Sequence, residues 1–207
     1  MLAAIVSNWQ TQIGSQTKDG FLAEVVRQCC SGLEYMHSRG IMHRDIKPDN
    51  LGFVSLEPPR IIIIDVGHGE QRPTSVDHMR GTIRYLAPEV MRIKEGESTA
   101  PFNQKVDMWA LGITLLELLV RHRITFTVAR KEHRPWLASE LSASNRDSTE
   151  LSYFRLLAGR LLEWEPSKRA SASDVLMSLE DRFPNAIKEQ QSERESSFVQ
   201  HSSKRRS

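Results

Sequence analysis

Apolar residues at Phe21, Leu22, Val25, Val26, Cys29, Leu33 and Met36 recur every three or four positions, the spacing of a helix with one buried stripe. Asp19 stands as its expected cap and Gly40 as its exit. Residues 1–18 pattern weakly, with room for one short helix. After Gly40 the period changes. Two short apolar runs, Leu51 to Val54 and Arg60 to Asp65, flank Pro58 and Pro59 and predict a small hairpin with both prolines in its turn. The run Ile61 to Ile64 predicts a strand buried on both faces. Residues 66–80 are polar and irregular, although Val66 reads as core. From Asn103, "NQKVDMWALGITLLELLV" is apolar almost all round, Trp109 included, as in a helix at the centre of a bundle. Residues 121–150 are charged and poorly patterned. Helical spacing returns over 151–162, and "SASD" from Ser171 offers a cap with an acid three residues on. From Asn185 the chain is rich in Ser, Gln and charge and is predicted to be disordered. The predicted fold is α+β, mainly α: a helical bundle carrying a small β-hairpin over residues 1–184, followed by a polar tail over 185–207.

Composition narrows the function classes. A chain of 207 residues can bury a core of its own. Its 28 Lys+Arg and 26 Asp+Glu leave a net charge of +2, too balanced to argue for nucleic acid or a membrane surface. The longest apolar run, Ala110 to Val120, is too short to span a bilayer and carries Glu117. No signal-peptide pattern precedes it. Cys29 and Cys30 are adjacent on one predicted helix, which excludes a disulfide framework and fits a reducing compartment. A cytoplasmic location is expected, with a nuclear one open; the closing "KRR" reads as solubilising. His37, His68, His78, His122, His133 and His201 show no ligand spacing.

The chemistry concentrates in "IMHRDIKPDNLGF", Ile41 to Phe53, where ionisable and amide groups alternate with apolar residues that would pin the backbone. If this loop is extended, the Asp45 carboxylate, the Lys47 ammonium and the Asn50 amide can converge on one cleft. Asp65 ends the second strand, and Gly67 frees the backbone to turn after it. An amide oxygen and a carboxylate meeting there suit Mg²⁺, a hard cation that takes oxygen ligands and substrate phosphates. Asp45 is then left to orient a hydroxyl and accept its proton, and Lys47 to offset charge on a phosphoryl group. Placement and charge compensation of this kind are most of what phosphoryl transfer needs.

These residues resemble the eukaryotic protein kinase family. "HRDIKPDN" resembles its catalytic loop, "DVG" at Asp65 its Mg²⁺-binding triplet, and "GTIRYLAPE" from Gly81 the end of its activation segment. "DMWALG" from Asp107 resembles the start of its central helix, and "EPSKRAS" the stretch before its last one. The resemblance implies Asp45 as catalytic base with Lys47 beside it. It implies Lys47, Asp49, Asn50 and Asp65 at ATP, and Asn50 and Asp65 at Mg²⁺. His43, Glu89, Asp107 and Arg169 would be structural, with Glu89 and Arg169 in a buried ion pair. Lys47 with Thr82 resembles the serine/threonine type, so the implied partner is a protein substrate. Arg44 beside the catalytic aspartate implies control by phosphorylation in the activation segment, with Thr74 and Ser75 as acceptors. Residues 121–150 lie where this family docks partners.

The resemblance covers the family's large C-terminal lobe. Residues 1–42 hold no G-x-G-x-x-G, and their one lysine, Lys18, is not in a strand-like context, so the small lobe is expected to be absent. Val66 stands where a larger Phe or Leu is usual, and Gly52 where a bulky residue is. Two functions follow. One is a serine/threonine kinase whose shortened chain is weakly active or inactive alone; the other is a kinase-like scaffold without catalysis.

Overall fold

The computed structural model describes residues 1–14, 16–56, 58–142 and 149–184. The elements run in the order α1 (Trp9–Gln12), α2 (Lys18–His37), β1 (Ile41–Met42), β2 (Leu51–Leu56), β3 (Pro59–Ile63), β4 (Glu70–Gln71), β5 (Thr74–Ser75), α3 (Pro88–Lys94), β6 (Phe102–Asn103), α4 (Lys105–Val120), α5 (Arg134–Ser142), α6 (Thr149–Leu161) and α7 (Ala172–Arg182). The predicted tail, 185–207, lies outside the described residues, as does 143–148 within the expected docking stretch.

The all-round apolar pattern of α4 has a direct consequence: every residue from Val106 to Leu119 is buried. The other helices assemble on it. Gly112 lets α6 approach closely, because a Cβ there would lie 2.9 Å from Leu161 Cβ and from Leu162. Trp9, itself fully buried, donates its indole N–H to the Leu118 carbonyl at 2.8 Å. That bond satisfies an acceptor in the last turn of α4, where no intrahelical partner exists. Trp9 also stacks on Phe21 at 5.3 Å, which ties the weakly patterned first residues to α2.

α2 starts one turn earlier than the apolar spacing suggests. Its cap is Thr17, whose hydroxyl accepts from Gly20 N at 3.1 Å; Asp19 sits inside the first turn, where its charge suits the helix dipole. α7 opens on Ser171 with a reciprocal capping box to Asp174.

Strands β2 and β3 form the predicted hairpin, with Leu51 opposite Ile63 and a register shift between Phe53 and Ser55. Gln28 of α2 holds it, accepting from Ile61 N and donating to Pro59 O, both at 2.6 Å. Three sequence readings fail here. Pro59 is not in the turn but opens β3 opposite Leu56. The isoleucine strand is buried on one face only: Ile61 is buried, whereas Ile62, opposite Gly52, is 51% exposed. Successive side chains point to opposite faces, and only one face of this hairpin meets α2. Val66 is not core but 62% exposed, because the chain turns outward at Asp65 before reaching it.

The stretch read as irregular contains two two-residue strands. β4 pairs with β1, and β5 with β6. All sheets among the described residues are two-stranded and antiparallel. The described residues before β1 form helices and turns. No helix among them is long and apolar enough to cross a membrane.

Candidate active site

The loop between β1 and β2 is held from below by one carboxylate. Asp107, in the first turn of α4 and buried, accepts from His43 N at 2.8 Å and Arg44 N at 2.7 Å. His37 Nε2 lies 2.9 Å from the same carboxylate. His43, fully buried, accepts from Asp45 N through Nδ1 at 3.3 Å. That leaves its Nε2–H to donate to the Ile64 carbonyl at 3.2 Å, one residue before Asp65. Ile64 N in turn donates to Asn50 O at 2.9 Å. The catalytic-type loop and the end of β3 are thereby fixed to each other and to the core helix.

Above this floor, Asp45 sits at a junction. Its Oδ1 accepts from Thr82 N at 3.0 Å and Thr82 Oγ1 at 2.8 Å. Its Oδ2 accepts from Lys47 Nζ at 2.7 Å and Asn50 Nδ2 at 2.9 Å. Lys47 Nζ also donates to Thr82 Oγ1 at 2.8 Å, closing the ring. A carboxylate offers about four acceptor positions, so the 3% exposed Asp45 is fully engaged. Burial alone would raise its pKa. The hydrogen bonds from Lys47, Thr82 and Asn50, with the Lys47 charge, outweigh burial and hold it below the usual carboxylate value. Asp45 is therefore ionised at neutral pH and able to accept a proton.

Asn50, buried, commits its amide nitrogen to the Asp45 carboxylate and carbonyl, which leaves its side-chain oxygen uncommitted to that junction. Asp65 adopts a left-handed backbone (φ 60°), a conformation aspartate tolerates because its side chain bonds locally, here accepting from Gly67 N at 3.3 Å. Its side chain is exposed rather than drawn into the Asp45 junction. One amide and one carboxylate oxygen suit Mg²⁺ completed by phosphates and water. No group of three or more His, Cys, Asp or Glu that could hold a metal occurs among the described residues.

Other candidate residues are engaged elsewhere. Asp49 is exposed, and its Oδ2 pairs with Arg123 Nη2 at 2.7 Å. Burial opposes ionisation of Asp49, yet Arg123 holds its pKa below the ordinary value. Glu89 and Arg169 meet in a two-pronged pair at 2.7 and 2.9 Å, with Arg169 1% exposed. Thr74 is exposed and Ser75 buried in the β5–β6 pair, where the Ser75 hydroxyl accepts from Asp77 N at 3.1 Å. Arg44 points to Glu70 and Asp77.

Sequence reading missed a buried cluster next to this site. Glu117, fully buried on α4, accepts from Tyr85 Oη at 3.0 Å and Ile124 N at 2.8 Å, with Arg123 Nε at 3.2 Å. Burial pushes the Glu117 carboxyl up, and burial with Glu117's charge pushes the Tyr85 phenol up. The signal was present: a glutamate inside an all-apolar helix demands partners. His37 and His68, both set aside for want of ligand spacing, lie respectively against Asp107 and 3.6 Å from Asp45 Oδ2.

The comparisons converge on one family. The protein kinase domain model matches residues 6–179. The chain is 35% identical over 163 residues to serine/threonine-protein kinase ste20 of Aspergillus fumigatus, covering 77% of this chain and 19% of that protein. It is 35% identical over 162 residues to serine/threonine-protein kinase pakA of Talaromyces marneffei (76% and 24%). An Aurora kinase of Eremothecium gossypii is 36% identical over 171 residues (78% and 42%). The chain thus spans less than half the length of each of these relatives. With the catalytic-type loop, the Asp45 junction and these matches together, the chain belongs to the protein kinase domain family.

Proposed function

We propose that this chain is the large lobe of a serine/threonine protein kinase, acting with ATP and Mg²⁺ on hydroxyl groups of protein substrates. The observation that supports the reading is the junction at Asp45, where a carboxylate, an ammonium, an amide and a hydroxyl are joined by hydrogen bonds. Asp45 orients the acceptor hydroxyl and takes its proton; to do so it exchanges one of its four internal donors for that hydroxyl. Lys47 is the donor that can yield, because it keeps its bond to Thr82 Oγ1, whereas the Thr82 hydroxyl has Asp45 as its acceptor. Lys47 places positive charge beside the reacting oxygen, and Asn50 and Asp65 supply the oxygen ligands for the metal. When bound, Mg²⁺ supplies charge neutralisation on the phosphates. Among the described residues nothing corresponds to a glycine-rich loop or second lysine over those phosphates, so the chain alone is expected to transfer slowly.

A second reading, a kinase-like scaffold without catalysis, is favoured by the apolar side chains of Val54 and Ile62 on the outer hairpin face. Calorimetry with ATP in the presence and absence of Mg²⁺ separates the two. The catalytic reading expects Mg²⁺-dependent binding that is lost in Asp65→Ala, and slow phosphorylation of serine or threonine peptides that is lost in Asp45→Asn. Absence of nucleotide binding at millimolar ATP would overturn it in favour of the scaffold.

A further inference from the structure

Arg44 follows His43 in the catalytic-type loop with a left-handed backbone (φ 70°), a strained conformation for a long side chain. Such strain persists only where the surroundings enforce it. Asp107 grips its backbone N–H from one side. On the other, the guanidinium donates from Nη1 to Glu70 Oε2 at 2.6 Å, and its Nη2 lies 3.0 Å from Asp77 Oδ2 and also bonds the Asp77 carbonyl. The side chain is 6% exposed. Both acids belong to the segment between the Mg²⁺-type triplet and "GT": Glu70 on β4 and Asp77 just after β5. Two further cations flank them from outside, Arg72 at 3.8 Å from Glu70 and Arg80 at 3.7 Å from Asp77. The Asp77 carboxylate also accepts from Met79 N at 3.0 Å, which closes the segment's next turn.

A phosphate orders such a segment by bringing about −1.5 to −2 charge and several acceptor oxygens to an arginine. Glu70 and Asp77 together bring the same charge and the same kind of acceptor, already in place. We propose that these two carboxylates form a built-in latch on Arg44, which sets the activation segment without modification of Thr74 or Ser75. The proposal deepens the kinase reading and rests on it for its regulatory meaning. The two acids converge on Arg44 from either end of the segment, and Arg44 ties both ends to the loop that follows β1. Ser75, buried in its strand pair, is closed to a modifying enzyme while the latch holds.

The test is hydrogen exchange of the full 207-residue chain, with phosphorylation state checked by mass. Amide protection over residues 70–80 is compared in phosphatase-treated wild type, Thr74→Ala, Glu70→Gln/Asp77→Asn and Arg44→Lys. Phosphatase-treated wild type and Thr74→Ala are expected to keep full protection. The double variant is expected to lose it about tenfold, the equivalent of about 1.4 kcal/mol, with α4 protection unchanged as the check on folding. Arg44→Lys, a point charge that cannot serve both acids in a fork, is expected to fall between. Loss of protection on dephosphorylation alone, or full protection in the double variant, overturns the latch. The measurement does not pass through phosphoryl transfer, so a chain that fails to transfer phosphate still shows whether Glu70 and Asp77 hold the segment.

Discussion

Removal of Glu89 isolates a cation in the least forgiving place in this fold. Arg169 is buried against Trp109, 5.2 Å from its ring centre, and its guanidinium also donates to the Glu163 and Lys105 carbonyls at 2.9 and 2.8 Å. Glu89→Ala leaves those carbonyl bonds intact but strands the charge, at a cost of about 3–5 kcal/mol. It also removes an acid from the first turn of α3, worth a further ~0.3–1 kcal/mol. A loss of about 4 kcal/mol is a large share of the ~5–15 kcal/mol that holds a domain together. With a urea slope of about 2 kcal/mol/M, the unfolding midpoint should fall by about 2 M. Arg169→Met costs differently, because it leaves two carbonyls without their donor at ~1–3 kcal/mol each. The two losses should not add: once Arg169 is gone, Glu89 has no buried charge to balance, so the double variant should recover about 2 kcal/mol relative to the sum. Urea titration of the four proteins by fluorescence measures all of this. A midpoint shift under ~0.5 M for Glu89→Ala, about 1 kcal/mol, or strict additivity would refute the assignment of the pair as a buried structural lock.

Asp107→Ala should leave the His43 and Arg44 N–H groups unpaired, costing ~1–3 kcal/mol each, seen as a lowered thermal midpoint and faster amide exchange over 41–51; an unshifted midpoint refutes it. Gly81 has φ 89°, and a Cβ there would lie 2.5 Å from the Arg44 carbonyl, so Gly81→Ala should cost about 1–3 kcal/mol and move Thr82 away from Asp45, read as lost activity where the wild type has any. The lowered pKa of Asp45 means its contribution to stability is present above the unfolded value, about 3.9, and is lost as pH falls through the lower folded value. Asp45→Asn should therefore flatten the acid limb of thermal midpoint against pH below about pH 4; an unchanged limb refutes the argument.

What was legible in the sequence follows from which signals are periodic. α2, α4, α6 and α7 carry long runs of spaced apolar residues, and their existence and order read directly. β4, β5 and β6 have two residues each, too few to show alternation, and their pairing depends on partners distant in the chain. The hairpin was visible but its exposed face was not: an isoleucine run states hydrophobicity, not which side finds a neighbour. Around Asp45 the sequence placed Lys47 and Asn50 by proximity, contacts that local spacing makes easy. Thr82 was placed only in the activation segment, although it supplies two of the four donors to that carboxylate from 37 residues away. Its role, like those of His37 and Arg123, belongs to tertiary geometry that no local pattern encodes.

The two acids of α4 explain why so polar a site stands on so apolar a helix. Asp107 and Glu117 are ten residues apart, about 15 Å along the axis, at opposite ends of a fully buried cylinder. The first holds the backbone of His43 and Arg44. The second holds Tyr85, which follows "GT", and Ile124, and with Tyr85 it anchors Arg123, which reaches back to Asp49. Each acid would be costly in that environment without partners, and each has a full set. The catalytic-type loop is therefore fixed at Arg44 and again at Asp49, from either end of one rigid element, with Asp45, Lys47 and Asp49's neighbour Asn50 carried on or beside the span between. A hydrophobic helix packed on all sides is the part of the fold least able to shift, and anchoring both ends of the loop to it converts core packing into positional precision at Asp45.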